Sequence, residues 1–100
     1  MEVKMMLSAE TNRIEYKREL NDKLERTVVS FLNYLGGGEL IIGVDDNGVP
    51  VGLNDIDGDQ CKIVDRIRNN IRPTVLGLFD VIPEKLNGKD IIRVVVSSGT

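Results

Sequence analysis

Four acidic residues and a lysine in the first half of the chain are of the types that metal and phosphate chemistry uses. Glu10, Glu15 and Lys17 fall within "SAETNRIEYKREL" (residues 8–20), and Asp45 and Asp46 close the run "ELIIGVDD". Around Ile14-Glu15-Tyr16-Lys17 apolar and polar residues alternate, which places Glu15 and Lys17 on one strand face and Ile14 and Tyr16 on the other. An acid followed two residues later by a lysine also occurs in metal-dependent nucleases, where the acid helps hold the ion and the lysine offsets phosphate charge. The same pair on a solvent-facing strand makes a surface ion pair worth ~0–1 kcal/mol. On one unbroken strand Glu10 and Glu15 would point to opposite faces, so a shared site requires a bend, with Thr11-Asn12 the place for it. Asp45 and Asp46 precede Asn47-Gly48, and an aspartate in such a turn hydrogen-bonds its own backbone. They also stand where a buried strand ends, at the part of an open α/β layer where sites form. With no histidine and one cysteine, Cys61, no structural zinc site is expected and histidine acid–base chemistry is excluded. Carboxylates, lysines and hydroxyls must do whatever is done.

The 100 residues, 41% hydrophobic and 29% charged, make one small globular domain with a modest core. The longest apolar runs are too short to cross a bilayer, and the first ten residues lack a signal core, so no membrane role is expected. The lone cysteine permits no internal disulfide and fits a reducing cytoplasm. The net charge of −3 weighs against a binder that relies on overall positive charge, and leaves room for a local basic surface.

The positioning elements follow from periodicity. "NDKLERTVVSFLNYLGGG" carries Leu24, Val28, Phe31 and Leu35 at helical spacing. Asp22 and Glu25 have capping-box spacing, and Gly36 suits the turn that ends the helix, expected over about 22 to 35. Leu40-Ile41-Ile42-Gly43-Val44 is apolar on both faces, as a central strand is. Asp46-Asn47-Gly48 turns the chain, and Val49 to Val51 returns as a short strand that Pro50 keeps from full pairing. "NDIDGDQCKIVDRIRNNIRP" is the second helix, with Val64, Ile67 and Ile71 inward and Pro73 as its stop. The remainder is a hairpin turning at Asn87-Gly88, with Ile91 to Val96 as its second strand. The expected fold is α+β: a mixed sheet of about five strands with two helices, in the order β-α-β-β-α-β-β.

"GGGELIIG" runs from helix into strand, the reverse of a phosphate loop, so the glycines read as helix termination. Lys62, Arg66, Arg68 and Arg72 of the second helix form a solvated face or, with Arg13, Lys17, Arg18, Lys23 and Arg26 around the first strand and helix, contact phosphates.

Together, "AETNRIEYKREL" and the helix ending in "SFLNYLGGGELIIGVDDNGVPVGL" resemble the Alba-like domain of the Schlafen family. That domain also occurs in bacterial and archaeal transcriptional regulators and RecG-related helicases. The family pattern of a glutamate, Glu-Phe-Lys, a helix end, a Gly-Gly turn and Gly-Val-Asp-Asp falls here on Glu10, Glu15-Tyr16-Lys17, Ser30 to Asn33, Gly36 to Gly38, and Gly43 to Asp46. Leu32 and Tyr34 depart from its small and hydroxyl residues. The resemblance covers roughly residues 8 to 97, and the chain, read as one domain over 1–100, looks like the first part of a longer protein. It implies a nucleic-acid-binding module, with Arg13, Lys17, Arg18, Lys62, Arg66, Arg68 and Arg72 as contacts. The alternative is an endonuclease in which Glu10, Glu15 and Asp46 hold Mg²⁺ or Mn²⁺ and Lys17 assists the phosphate. A third reading is a dimerising or regulatory domain. In the Schlafen nuclease two such domains form a clamp, so a homodimer is the expected way for one copy to match it.

Overall fold

The computed structural model describes residues 13–33, 37–71 and 78–97. Its elements in chain order are β1 (Ile14–Lys17), α1 (Leu24–Leu32), β2 (Gly38–Ile42), α2 (Ile56–Asn70), β3 (Phe79–Leu86) and β4 (Lys89–Val96). The strands form one mixed sheet in the order β1-β2-β4-β3. β1 runs parallel to β2, with Ile14 opposite Glu39 and Lys17 opposite Ile42. β4 lies antiparallel to both β2 and β3.

Alternation along the strands divides the core in two. On one face Leu40 and Ile42 of β2 and Ile92, Val94 and Val96 of β4 pack under Leu24, Val28 and Phe31 of α1 and Ile63, Ile67 and Ile71 of the α2 segment. On the other, Tyr16, Ile41, Val44 and Ile91 form a smaller cluster with Ile14 beside them. β2 is therefore covered on both sides, as its unbroken apolar run requires.

Three expectations need correction. The sheet has four strands rather than about five, because the chain returning after Asp46-Asn47-Gly48 makes one isolated bridge, Val44 to Pro50. Pro50 has no N–H to give a ladder, and the amides of Val51 and Gly52 both turn back onto the Gly43 carbonyl (2.8 and 3.1 Å), closing a loop. The first helix starts at Leu24, with Lys23 at its cap and no side-chain cap bond. The Asp22–Glu25 box does not form because the Glu25 carboxylate is taken by α2, while Asn21 Oδ1 accepts from Lys23 N at 2.9 Å. In α2 the inward stripe is Ile63, Ile67 and Ile71, with Val64 half-buried. The steps of four place Ile63, not Val64, on the face that holds Ile67 and Ile71. Asp55 caps this helix by accepting from Gly58 N at 3.1 Å.

The expected hairpin turn is present, with Asn87 and Gly88 both at positive φ (53° and 79°), the signature of a two-residue type I′ connection. Gly36, Leu35, Pro73 and Arg72 lie outside the described residues. Of the glycine cluster, Gly37 holds φ of 73° with the Val96 carbonyl packed where a Cβ would stand. The Phe31 ring lies directly over Gly38 in the same way. These glycines let the end of α1 fold back onto β2 at van der Waals contact.

A Gly38→Ala variant should therefore lose about 1–3 kcal/mol, since the Phe31 ring can yield only by leaving the core. The urea midpoint at unchanged m-value reads this, and a midpoint equal to wild type would mean that the ring moves freely.

Candidate nucleic-acid interface

β1 carries the first charged set. Tyr16 (6% exposed) is the plug that fixes its orientation, packed against Ile41, Val44 and Ile91. Glu15 and Lys17 consequently share the face on the helix side, where Lys17 Nζ sits 3.4 Å from Glu15 Oε2 with both side chains partly exposed. That pair is worth little by itself. The Lys17 main-chain carbonyl accepts from both Gly43 N (2.7 Å) and Val44 N (3.1 Å). The end of β1 is thereby pinned to the end of β2, immediately before Asp45 and Asp46.

The two aspartates then diverge in role. Asp45 Oδ1 accepts from Asn47 N and Val49 N, each at 2.9 Å, and the Asp45 amide donates to the Val49 carbonyl at 2.9 Å. Asp45 is thus the residue that builds the turn. Asp46 is exposed on that turn, and no hydrogen bond or ion pair engages its carboxylate among the described residues. Among those residues no three acidic or cysteine side chains converge as metal ligands. Glu10, the third acid of the expected set, lies outside them.

The basic residues separate by what they already bind. Arg66 donates Nε and Nη2 to the two Glu25 carboxylate oxygens (2.9 and 2.6 Å) and Nη1 to the Asn21 carbonyl (2.9 Å). Asn70 Nδ2 adds a bond to Glu25 Oε2 at 2.9 Å. The Arg66 hydrogen bond holds the Glu25 carboxyl down from 4.5 to about 2, and the same bond raises the Arg66 guanidinium. This clasp ties the start of α1 to the second half of α2, and it uses up the donor fork of Arg66. Arg18, Lys23 and Arg26 before and on α1, and Lys62 and Arg68 on α2, are exposed and carry no ion pair among the described residues. Along α2 Asp57 and Asp59 lie in the first turn, and Lys62, Arg66 and Arg68 follow with the exposed Asp65 among them. Arg13 is exposed at the start of β1 and makes an interaction of its own. Arg72 lies outside the described residues.

A second arginine network escaped the sequence reading. Arg93, in the middle of β4, donates Nη1 to Glu39 Oε1 (2.6 Å) and its Nε and Nη2 to Glu84 (3.1 Å each), joining β2, β4 and β3 on the face away from the helices. Its guanidinium is raised, chiefly by the Glu84 bond. The signal was available: an arginine inside "IIRVVV" cannot sit half-buried in a sheet without acidic partners. Arg93 is therefore engaged, whereas Lys89 at the hairpin end of β4 is exposed and makes no ion pair among the described residues.

The concavities are small. A cleft lined by Lys17, Lys23, Leu24 and Thr27 has a volume of about 10 Å³, and a groove beside Ile56, Pro83 and Lys85 about 190 Å³. The first is no larger than a single water would need, and both fall below the ~300 Å³ at which small-molecule pockets begin. No helix among the described residues is long and apolar enough to cross a membrane.

The family model described as Schlafen, AlbA_2 matches residues 10–100. The solution structure of the N-terminal domain of a protein from Nitrosomonas europaea, described as a RecG-related ATP-dependent DNA helicase, is similar with a TM-score of 0.74 and 28% identity, over 95% of this chain and 69% of that one. The crystal structure of the DIP2311 protein from Corynebacterium diphtheriae shares the fold with a TM-score of 0.58 and 20% identity, over 95% of this chain. This chain spans 24% of the Corynebacterium protein. No curated protein matches.

Replacing Glu25 by Gln should cost about 1–3 kcal/mol at neutral pH through the weakened bonds to Arg66. Because folding lowers the Glu25 pKa, its stabilisation is complete above about 4.5 and drains as pH falls toward 2. Urea midpoints across that window should fall more steeply for wild type than for the variant. Parallel curves would remove the clasp from the stability of the fold.

Proposed function

The chain belongs to the Schlafen AlbA_2 family, and from that premise we propose that it is a nucleic-acid-binding module of a regulator or helicase-related protein. The observation that carries this reading is that Arg18, Lys23, Arg26, Lys62 and Arg68 are exposed without ion pairs among the described residues, on or beside two helices that the Arg66–Glu25 clasp joins, with the exposed acids Glu19, Asp22 and Asp65 between them. Arg13 and Lys17 of the β1 segment are further candidate contacts, as is Arg72, which lies outside the described residues. Contacts of this kind address the phosphate backbone and carry little sequence information. With a net charge of −3, affinity rests on this local patch and should be strongly dependent on salt. The likeness to a RecG-related N-terminal domain supports a helicase-related setting.

Binding of labelled single- and double-stranded oligonucleotides, followed by anisotropy against salt, tests this. Each phosphate contact removed should flatten the log–log slope by about 0.7 for single strands or 0.9 for duplex. A Lys62→Gln, Arg68→Gln double variant should thus lose up to two such increments while remaining as stable as wild type. A slope identical to wild type would withdraw these residues. Arg66→Gln should instead lower stability, because its donors serve Glu25.

A second reading, a metal-dependent nuclease, is favoured by one observation: the bonds from Gly43 and Val44 to the Lys17 carbonyl bring the Asp46 turn to the end of the strand that bears Glu15. Carboxylate oxygens suit Mg²⁺ or Mn²⁺, with Glu15, Asp46 and Glu10 as the holders and Lys17 beside the phosphate. Such an ion would supply charge neutralisation and an acidified water. Calorimetric titration of Mn²⁺ should give binding to wild type and none to a Glu15→Ala, Asp46→Ala variant. Equal heats from both would end this reading and leave the binding proposal untouched.

A further inference from the structure

β3 is an outer strand of the sheet, and its backbone pairing can be followed residue by residue. Ser97 N donates to the Leu78 carbonyl at 2.7 Å, just beyond the Phe79–Val96 pair that begins the ladder. In an antiparallel ladder the residues alternate between those bonded to the partner strand and those directed away from it. From Leu78 onward, Asp80, Ile82, Glu84 and Leu86 therefore bond to β4, while Phe79, Val81, Pro83 and Lys85 direct their backbone groups to the outer edge. The Asp90 carbonyl agrees with this phase: it accepts from Leu53 N (2.9 Å) on the side of β4 away from β3.

The outer edge has the features of a pairing template. It is eight residues long, Ile82 and Leu86 are 38% and 41% exposed, and among the described residues no strand lies beyond it. Long edges that expose apolar side chains recruit further strands unless something interrupts them, and here Asp80, Glu84 and Lys85 stand among Phe79, Val81, Ile82 and Leu86. Pro83 stands at the middle outward position, where its missing N–H costs the ladder with β4 nothing and removes a donor from any incoming strand.

We propose that Pro83 closes this edge to a second copy of the chain, whose own β3 is the strand best matched to it in length and apolar character, in a two-fold antiparallel arrangement. The proposal concerns this edge alone, so copies that associate through another surface remain free to do so. Sedimentation velocity over a range of concentrations, with circular dichroism to establish folding, tests it. Pro83→Val and Pro83→Thr should each form concentration-dependent species larger than any that wild type shows. Adding Lys85→Pro, which returns a proline to an outward position, should abolish them. Glu84→Pro should behave differently, losing a bond to β4 and unfolding at lower denaturant. Folded Pro83→Val or Pro83→Thr protein that sediments as wild type does, or enlarged species that persist with Lys85→Pro, would overturn the proposal.

Discussion

The central position of β2 is the constraint from which the rest follows. Its backbone is engaged on one side by β1, where Glu39 N and Gly43 N reach the carbonyls of Arg13 and Lys17, and on the other by β4. Both of its faces are covered, with Leu40 and Ile42 under the helices and Ile41 against Tyr16. A strand so placed cannot slip by one residue without exchanging its two faces, so register is fixed on both sides. The meeting of Lys17 with the start of the Asp45 turn is a product of that register.

Much of this was legible from sequence, in proportion to how local the determinants are. The alternation of β1 and the Asn87-Gly88 turn depend on neighbours within a few residues and stand where the pattern places them, and β2, at Gly38–Ile42, shares Leu40 to Ile42 with its expected run and ends before Gly43, which takes a positive φ. The returning segment at Val49 to Val51 departs from its strand pattern because that propensity is overridden by Gly43, whose carbonyl captures two amides and folds the loop on itself. Glu25 departs from its pattern for another reason. Its spacing from Asp22 satisfies a local rule, but a guanidinium 41 residues away makes the stronger charge-assisted bonds. No single-sequence pattern announces such a partner.

The candidate site shows the same division. Strand alternation was sufficient to place Glu15 and Lys17 together, and turn chemistry was sufficient to explain Asp45. Sequence could not tell Arg66 from Arg68, because both are arginines on one helix, two residues apart. Only the fold separates the one that fastens α1 from the one left in solvent. The Arg93 network adds that the guanidinium on the opposite face of the sheet is already engaged by Glu39 and Glu84, which removes it from the cations left to meet a phosphate.

β1 itself is attached differently from the other strands. It is four residues long and its backbone pairs with β2 alone, while Tyr16 reaches Ile91 of β4 on the face away from the helices. Its hold on the body consists of a short parallel ladder and the ring of Tyr16. Segments with so little cover open at a fraction of the global unfolding free energy. The ribbon bearing Glu15 and Lys17 is thus the fold's natural latch, and a polyanion that spans Lys17 and the helical rim would bolt it shut.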